Sequence, residues 1–383
     1  MGIRDTVCIV GIHEHPTRHA PDISVARLHA EVAAKALEDA GLSFSDVDGY
    51  FCASDAPGGA LAMAEYMNLK LSHADSSEGG GASYIAHLGH AAAAIAAGKC
   101  NVALVTLAGR PRSESDGRSE HLSAPALQFE HPFNPTVLSF YGLAAARHMH
   151  DFGTTSEQLA WVKVAASHHA QHNPNAMLRK PVTVEDVVNS PLVAGPLHRL
   201  DCCVISDGGG ALVLTRPEIA RSLARPLITL RGHGEAIRYH PPLGYDLTST
   251  AAAEAGQRAF ATAAVTPADI DYASIYDSFT ITVLLQLEDL GFCPKGQGGR
   301  MVADGGLIAG SGRLPVNTDG GGLCSNHPAF RGGMTKVIEA VRQLRGEAAP
   351  QVQVPDCKLA LVSGIGGYLG SRHASSVAIL ERR

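Results

Sequence analysis

A chain of 383 residues with 45% hydrophobic and 18% charged residues is long enough for two to three domains or one large fused core. A formal net charge of −6 without any Lys/Arg run argues against a nucleic-acid partner. No apolar run approaches the ~18 residues of a membrane span, and eight cysteines without a CxxC do not make a disulfide framework, so reduced thiols in a cytoplasm are expected.

In chain order, Val7 to Ile12 predicts a first strand, too short for the apolar core of a signal peptide. Ala33 to Ser43 predicts a helix running into a polar loop with Asp46 and Asp48, followed by a strand from Gly49. Ser76-Ser77-Glu78-Gly79-Gly80-Gly81 leads into Ala82 to Ala97, which is rich in small residues on nearly all faces, as in a helix buried between layers. Val102 to Leu107 is the next strand. Residues Ala108 to Ala194, rich in His, Pro and Asn, predict an inserted loop domain over a site, with a helix Ser156 to His172 that starts after Gly153-Thr154-Thr155. His168, His169 and His172 on that helix lack an acidic third ligand, and no HExxH occurs, so a packing face is expected and no metal site. Asp201 to Gly210 predicts a strand-to-strand turn under the site, and Ala211 to Leu214 closes the first half.

The second half repeats the first. Arg258 to Thr266 is a helix, and Asp269 and Asp271 follow at the same offset as Asp46 and Asp48 (269 − 46 = 271 − 48 = 223). Val337 to Leu344 precedes the strand Leu359 to Val362, as Ala91 to Ala97 precedes Val102 to Leu107. Such a duplication implies two similar α/β halves with mixed sheets, 1–220 and 221–383. Gly364-Ile365-Gly366-Gly367-Tyr368-Leu369-Gly370 is followed by Ser371 to Leu380, another strand, where a dinucleotide loop would require a helix. A glycine turn lining a pocket is the expectation.

Between these lies Asn317-Thr318-Asp319-Gly320-Gly321-Gly322-Leu323-Cys324-Ser325-Asn326-His327-Pro328. Glycines permit positive φ and close approach to a ligand, and proline fixes the backbone after the histidine. An imidazole aimed by such a loop can hydrogen-bond an oxygen and stabilise charge developing there. Asp277 is expected to cap or orient the local backbone. Cys52, Cys293 and Cys324 are expected as buried small apolar groups. A catalytic role for Cys324, the one thiol near His327 in sequence, is the alternative.

The arrangement resembles the thiolase superfamily, in particular the sterol-carrier-protein thiolase-like branch. The residues that carry it are Tyr141 with Arg147-His148-Met149-His150, Gly153 to Ala160, His169-Ala170 with Asn173-Pro174, Leu200 to Gly209, Tyr276-Asp277-Ser278-Phe279-Thr280, Asn317 to Pro328 and Gly364 to Gly370. The resemblance implies an α/β duplicated thiolase fold with five αβαβα layers, a homodimer, and acyl-coenzyme A chemistry. It implies no covalently bound cofactor, coenzyme A being part of the substrate. It also implies a small partner protein joining a zinc ribbon to an OB-fold.

The chain departs from the family's pattern at both cysteines. Counting back from Gly98 puts Gly81 at the nucleophile position, and a loop shift would put Glu78 there. Gly364 replaces the second cysteine, with Ser363 beside it, and Asn326 replaces the glycine before His327. Acyl transfer through an enzyme thioester is therefore hard to support. The remaining machinery resembles the thiolase-like aldolases that cut β-hydroxyacyl-coenzyme A side chains by a non-covalent retro-aldol step. His327, Tyr276 and Tyr368 are the expected catalytic groups, and Glu78, Gly81, Asn326, Ser363, Gly366 and Gly367 the expected substrate-binding ones. A thiolase-type acyltransferase and a catalytically silent acyl-coenzyme A-binding subunit are the alternatives.

Overall fold

The two aspartate pairs do the same work in each half. Asp46 accepts a hydrogen bond from the Ser43 amide and Asp269 from the Thr266 amide, each at 2.8 Å. Asp48 then accepts from the amides of Asn101 and Val102, and Asp271 from those of Lys358 and Leu359. Each first carboxylate caps a short turn, and each second one catches the start of the neighbouring strand. The computed structural model describes residues 3–114, 136–238, 246–368 and 371–383.

The strands are β1 (Cys8–Glu14), β2 (Gly49–Cys52), β3 (His73–Ser76), β4 (Val102–Gly109), β5 (Leu192–Ala194), β6 (Leu197–His198), β7 (Gly208–Thr215), β8 (Ile228–Arg238), β9 (Tyr272–Ile275), β10 (Leu359–Tyr368) and β11 (Ser371–Arg382). Nine of them follow the order β3-β2-β4-β7-β1-β8-β11-β10-β9, while β5 and β6 form a separate hairpin. The order is a mirrored pair: β2-β4-β7-β1 on one side matches β9-β10-β11-β8 on the other. The halves meet where Cys8 and Ile9 of β1 pair with Thr229 and Ile228 of β8. β2 and β4 run parallel, as do β9 and β10, and the pairs toward the middle are antiparallel.

The helices of eight or more residues, among those described, are α1 (Val25–Ala40), α2 (Gly59–Tyr66), α3 (Ser83–Ala96), α4 (Val137–Phe152), α5 (Ser156–Ala170), α6 (Ala252–Ala263), α7 (Thr280–Asp289) and α8 (Gly333–Arg345). Strand alternation sorts them into layers. Ala103 and Val105 of β4 and Ala360 and Val362 of β10 face a central core with α3 and α8, including Leu88, Ile95, Val337 and Leu344. Val102 and Leu104 face outward onto Val32, Ala36 and Leu37 of α1. Leu361, Val377 and Ile379 face outward onto Ala252, Ala255 and Ala259 of α6. The result is five layers: α1, one half-sheet, α3 with α8, the other half-sheet, α6. Eleven of the fourteen residues of α3 are buried, as its small-residue composition predicts.

α5 begins where expected, with Thr155 Oγ1 accepting from the Gln158 amide. It ends at Ala170, short of His172, because Asn173-Pro174 cannot continue a helix. Residues 108–194, the expected insertion, include α4, α5 and β5; residues 115–135 lie outside the described residues. Among the described residues, no helix is long and apolar enough to cross a membrane.

Candidate active site

The glycine loop is built from its backbone inward. Asn317, at φ 53°, clamps it to β9: its side chain accepts from the Ile275 amide and donates to the Ile275 carbonyl, both at 2.8 Å. Gly320 and Gly321 take φ of 95° and 59°, and residues Gly321–Ser325 form one wide helical turn. Asp277 accepts from the amides of Gly322 and Leu323, and Lys336 Nζ stands 2.6 Å from the same carboxylate. A Cβ at Gly321 would lie 2.1 Å from Asp277 Oδ2, so only glycine leaves room for that carboxylate. Asp277 thus orients the loop backbone, as expected.

The loop delivers His327 to the wall of a cavity of about 970 Å³. The His327 amide donates to Ser206 Oγ at 2.9 Å, which fixes the residue's position. Its Nε2 lies 3.0 Å from the hydroxyl of Tyr276, with the rings edge to face at 5.6 Å between centroids. Both residues line the cavity and both are 5% exposed. Burial drives the His327 imidazole down to about 4, against a smaller upward pull from Asp277. Burial also holds the Tyr276 phenol well above its usual value, reinforced by Tyr141 and Cys203. Both groups are neutral at pH 7. This direction favours the neutral phenol and does not favour a resting tyrosinate base.

Gly79, Gly80 and Gly81 line the same cavity together with Gly366 and Gly367. The two backbones touch: a Cβ at Gly366 would lie 1.6 Å from the Gly79 carbonyl oxygen. Glu78 also lines the cavity. Its carboxylate accepts from the Gly80 amide at 2.6 Å and the Ser54 hydroxyl, and pairs with Arg331 at 2.9 Å. Burial pushes the Glu78 carboxyl up, but the Ser54 hydrogen bond and the Arg331 charge outweigh it and hold it below its usual value. Glu78 is therefore an anchored carboxylate that fixes the glycine loop and Arg331.

At Gly81 and Gly364, the glycines expected to stand where the family has its two cysteines, the space for a side chain is closed. A Cβ at Gly81 would lie 2.3 Å from Cε2 of Tyr276 and 2.4 Å from the Ile365 carbonyl oxygen. A Cβ at Gly364 would lie 2.5 Å from Cδ1 of Ile85 and 2.9 Å from the Gly81 carbonyl oxygen. The Tyr276 ring occupies the space that a side chain at Gly81 would need.

Two expected binding residues fall elsewhere. Asn326 is fully buried, accepting from Ser206 and donating to Glu14 at 2.9 Å, and it does not line the cavity. Ser363 is likewise buried and donates to Gln286 of α7 at 2.8 Å. Tyr368 ends β10, and its side chain lies outside the described residues. Cys324 is fully buried in an apolar cluster and its thiol is pushed up by burial, as the packing expectation holds. The thiol that does line the cavity, among the described residues, is Cys203, which burial pushes up to about 12. The segment Asp201 to Gly210 therefore supplies part of the wall, where the sequence suggested only a turn beneath it.

Arg331, four residues beyond His327, also escaped the sequence reading. It is held between Glu78 and Asp55, the latter at 3.6 Å. The rim is apolar: Ile205, Ile237 and Phe330 are 48%, 85% and 63% exposed at the cavity. Tyr141 of α4 stacks on Phe279 at 4.3 Å between centroids and closes the side under the rim. Of the helix histidines, His168 makes edge contacts with His169 and His172, and both ring nitrogens of His169 are engaged, by the Asn317 carbonyl and the Ala309 amide.

Residues 243–382 match the thiolase C-terminal domain-like family. Over 367 residues the chain is 35% identical to a 17-hydroxy-3-oxo-4-pregnene-20-carboxyl-CoA lyase of Mycobacterium tuberculosis, covering 90% of this chain and 92% of that one. It is 32% identical over 376 residues to an acetyl-CoA acetyltransferase of Methanothermobacter thermautotrophicus, covering 95% and 97%. A solved structure described as "Ltp2-ChsH2(DUF35) aldolase" superposes with a TM-score of 0.88 at 33% identity, covering 99% of this chain and 98% of that one.

Proposed function

The chain belongs to the thiolase superfamily, in its sterol-carrier-protein thiolase-like branch, and from that premise we propose that it cleaves a carbon–carbon bond of a β-hydroxyacyl-coenzyme A by a retro-aldol step. One observation carries the choice of lyase over transferase: the space at Gly81 is filled by the Tyr276 ring, whose hydroxyl is hydrogen-bonded to His327. A covalent acyl-enzyme has no nucleophile there, while an acid–base pair stands ready. Cys203 supplies no substitute, because a thiol pushed up to about 12 is almost wholly protonated at pH 7.

In the reaction the Cα–Cβ bond breaks. The β-carbon becomes a carbonyl as its hydroxyl gives up a proton, and the bonding pair passes to the α-carbon as a thioester enolate, which then takes a proton. With His327 Nε2 engaged by the phenol, the imidazole reaches substrate through Tyr276. Tyr276 accepts the hydroxyl proton as its own passes to His327, so no free tyrosinate is formed. The same pair returns the proton to the α-carbon. Tyr368 is the second candidate for proton transfer. Glu78, Gly81, Gly366 and Gly367 shape the wall against which the thioester lies.

The test is product analysis with synthetic β-hydroxyacyl-coenzyme A substrates, alongside intact-mass measurement after incubation with an acyl-coenzyme A. The expected result is a carbonyl product and a shortened acyl-coenzyme A with no mass added to the protein. A stable acyl adduct would favour the acyltransferase reading, and tight binding without turnover the silent subunit. We further propose a homodimer that works with a small zinc-ribbon and OB-fold partner. The two-component description of the aldolase structure supports a partner protein. So does the engagement of the cavity cation Arg331 by Glu78 and Asp55, which leaves anionic coenzyme A to be recognised elsewhere.

A further inference from the structure

Away from the cavity, β3 and α3 bring Asp75, His87 and His90 together, with one ligand atom from each lying within 4.8 Å of the others. His87 and His90 are one turn apart on α3, so their rings share a face. Ser77, the residue after β3, places its Oγ 3.0 Å from His87 Nε2 and 3.3 Å from His90 Nδ1. The same His90 Nδ1 lies 2.7 Å from Asp75 Oδ2. Two imidazole nitrogens and a carboxylate oxygen therefore converge on one small volume with a hydroxyl beside it. The His90–Asp75 separation of 2.7 Å and the 4.8 Å limit on the others leave the roughly 3.3 Å between neighbouring ligands of a tetrahedral ion, with bonds of about 2.0–2.1 Å, within reach of side-chain rotation.

The surroundings also suit a metal. His90 Nε2 lies 3.3 Å from Glu235 Oε2 of β8, the outer carboxylate that orients a ligating imidazole. His87 is fully buried and its Nδ1 has no hydrogen-bond partner, so Nε2, facing Ser77, is the engaged nitrogen. The side chains of Asp75 and His90 keep 27% and 31% exposure, which gives an ion a route in.

The geometry points to a binding site for a divalent transition metal of the zinc type, held by Asp75, His87 and His90 with water or the Ser77 hydroxyl as fourth ligand. None of these residues lines the cavity, so an ion there would not touch a substrate held in it. Ser77 is followed directly by Glu78 and the three glycines of the cavity wall, and the ion ties the root of that loop to α3. The spacing was silent in the sequence because the ligands are split between a strand and a helix.

The full chain, stripped with a chelator and dialysed, is titrated with Zn²⁺ by calorimetry and with Co²⁺ by visible absorption. One equivalent per chain, a tetrahedral cobalt spectrum and a raised Tm are expected. His90→Gln and Asp75→Asn, both at partly exposed side chains, should keep the circular dichroism and weaken binding by more than the ~10–100-fold expected of the outer-shell variant Glu235→Gln. No saturable binding by the unaltered chain overturns the site, and so does equal affinity in all three variants.

Discussion

Tyr276→Phe and His327→Ala should each lower kcat for retro-aldol cleavage by about 10²–10⁴-fold, the range for loss of a positioned acid–base group. The double variant should lose little more than either single one. The reason is geometric: at 3.0 Å the phenol and Nε2 share one proton path, and removing either end breaks it. Groups that act as a unit give non-additive losses. Steady-state kinetics on the three variants, with circular dichroism to confirm folding, checks this. Losses that multiply would show two independent roles, and undiminished turnover in His327→Ala would remove that residue from the mechanism. The pH profile gives a separate reading. With the imidazole driven to about 4 and the phenol held well above its usual value, kcat/KM should show no inflection from this pair near pH 6.5. It should fall as pH approaches 4, where His327 takes up a proton and can no longer receive one from Tyr276.

The duplication was legible because its markers do identical local work. Asp48 and Asp271 each catch the first amides of a neighbouring strand, so both halves keep the same residue at the same offset. The glycine loop was legible because positive φ at Gly320 and Gly321 leaves a compositional trace. Which side chains enter the cavity was harder to read. Successive residues of extended backbone point to opposite sides. Gly364 faces α3, so its neighbour Ser363 faces Gln286 instead. Asn326, extended at φ −154°, turns toward Ser206 and Glu14 while His327 turns into the cavity. Arg331 and Cys203 are brought to the wall by tertiary packing, and Ile237 by the end of β8. No local pattern announces such residues. The closure of the space at Gly81 and Gly364 is also a property of packing: a glycine in the sequence does not say what fills the room beside it.

Gly81→Cys should not create a thiolase. The new Cβ would meet the Tyr276 ring at 2.3 Å and the Ile365 carbonyl at 2.4 Å, and the sulfur would need further room. The carbonyl belongs to β10 and cannot withdraw without disturbing the pairing of Ile365 with Ser375. Overpacking of this kind costs about 1–3 kcal/mol or more. If the ring yields, its hydroxyl leaves His327, and lyase turnover falls with the proton path. The expected outcome is a lowered Tm, lost cleavage, and no acyl adduct by intact mass after incubation with acetyl-coenzyme A. Combining Gly81→Cys with Tyr276→Ala removes the nearer obstacle. The pair should then be less destabilised than the sum of the single changes, with a coupling of about 0.5–3 kcal/mol as expected for residues in contact. Additive destabilisation, or a Gly81→Cys variant as stable as the parent that carries an acyl group, would show that the Tyr276 ring does not hold that space closed.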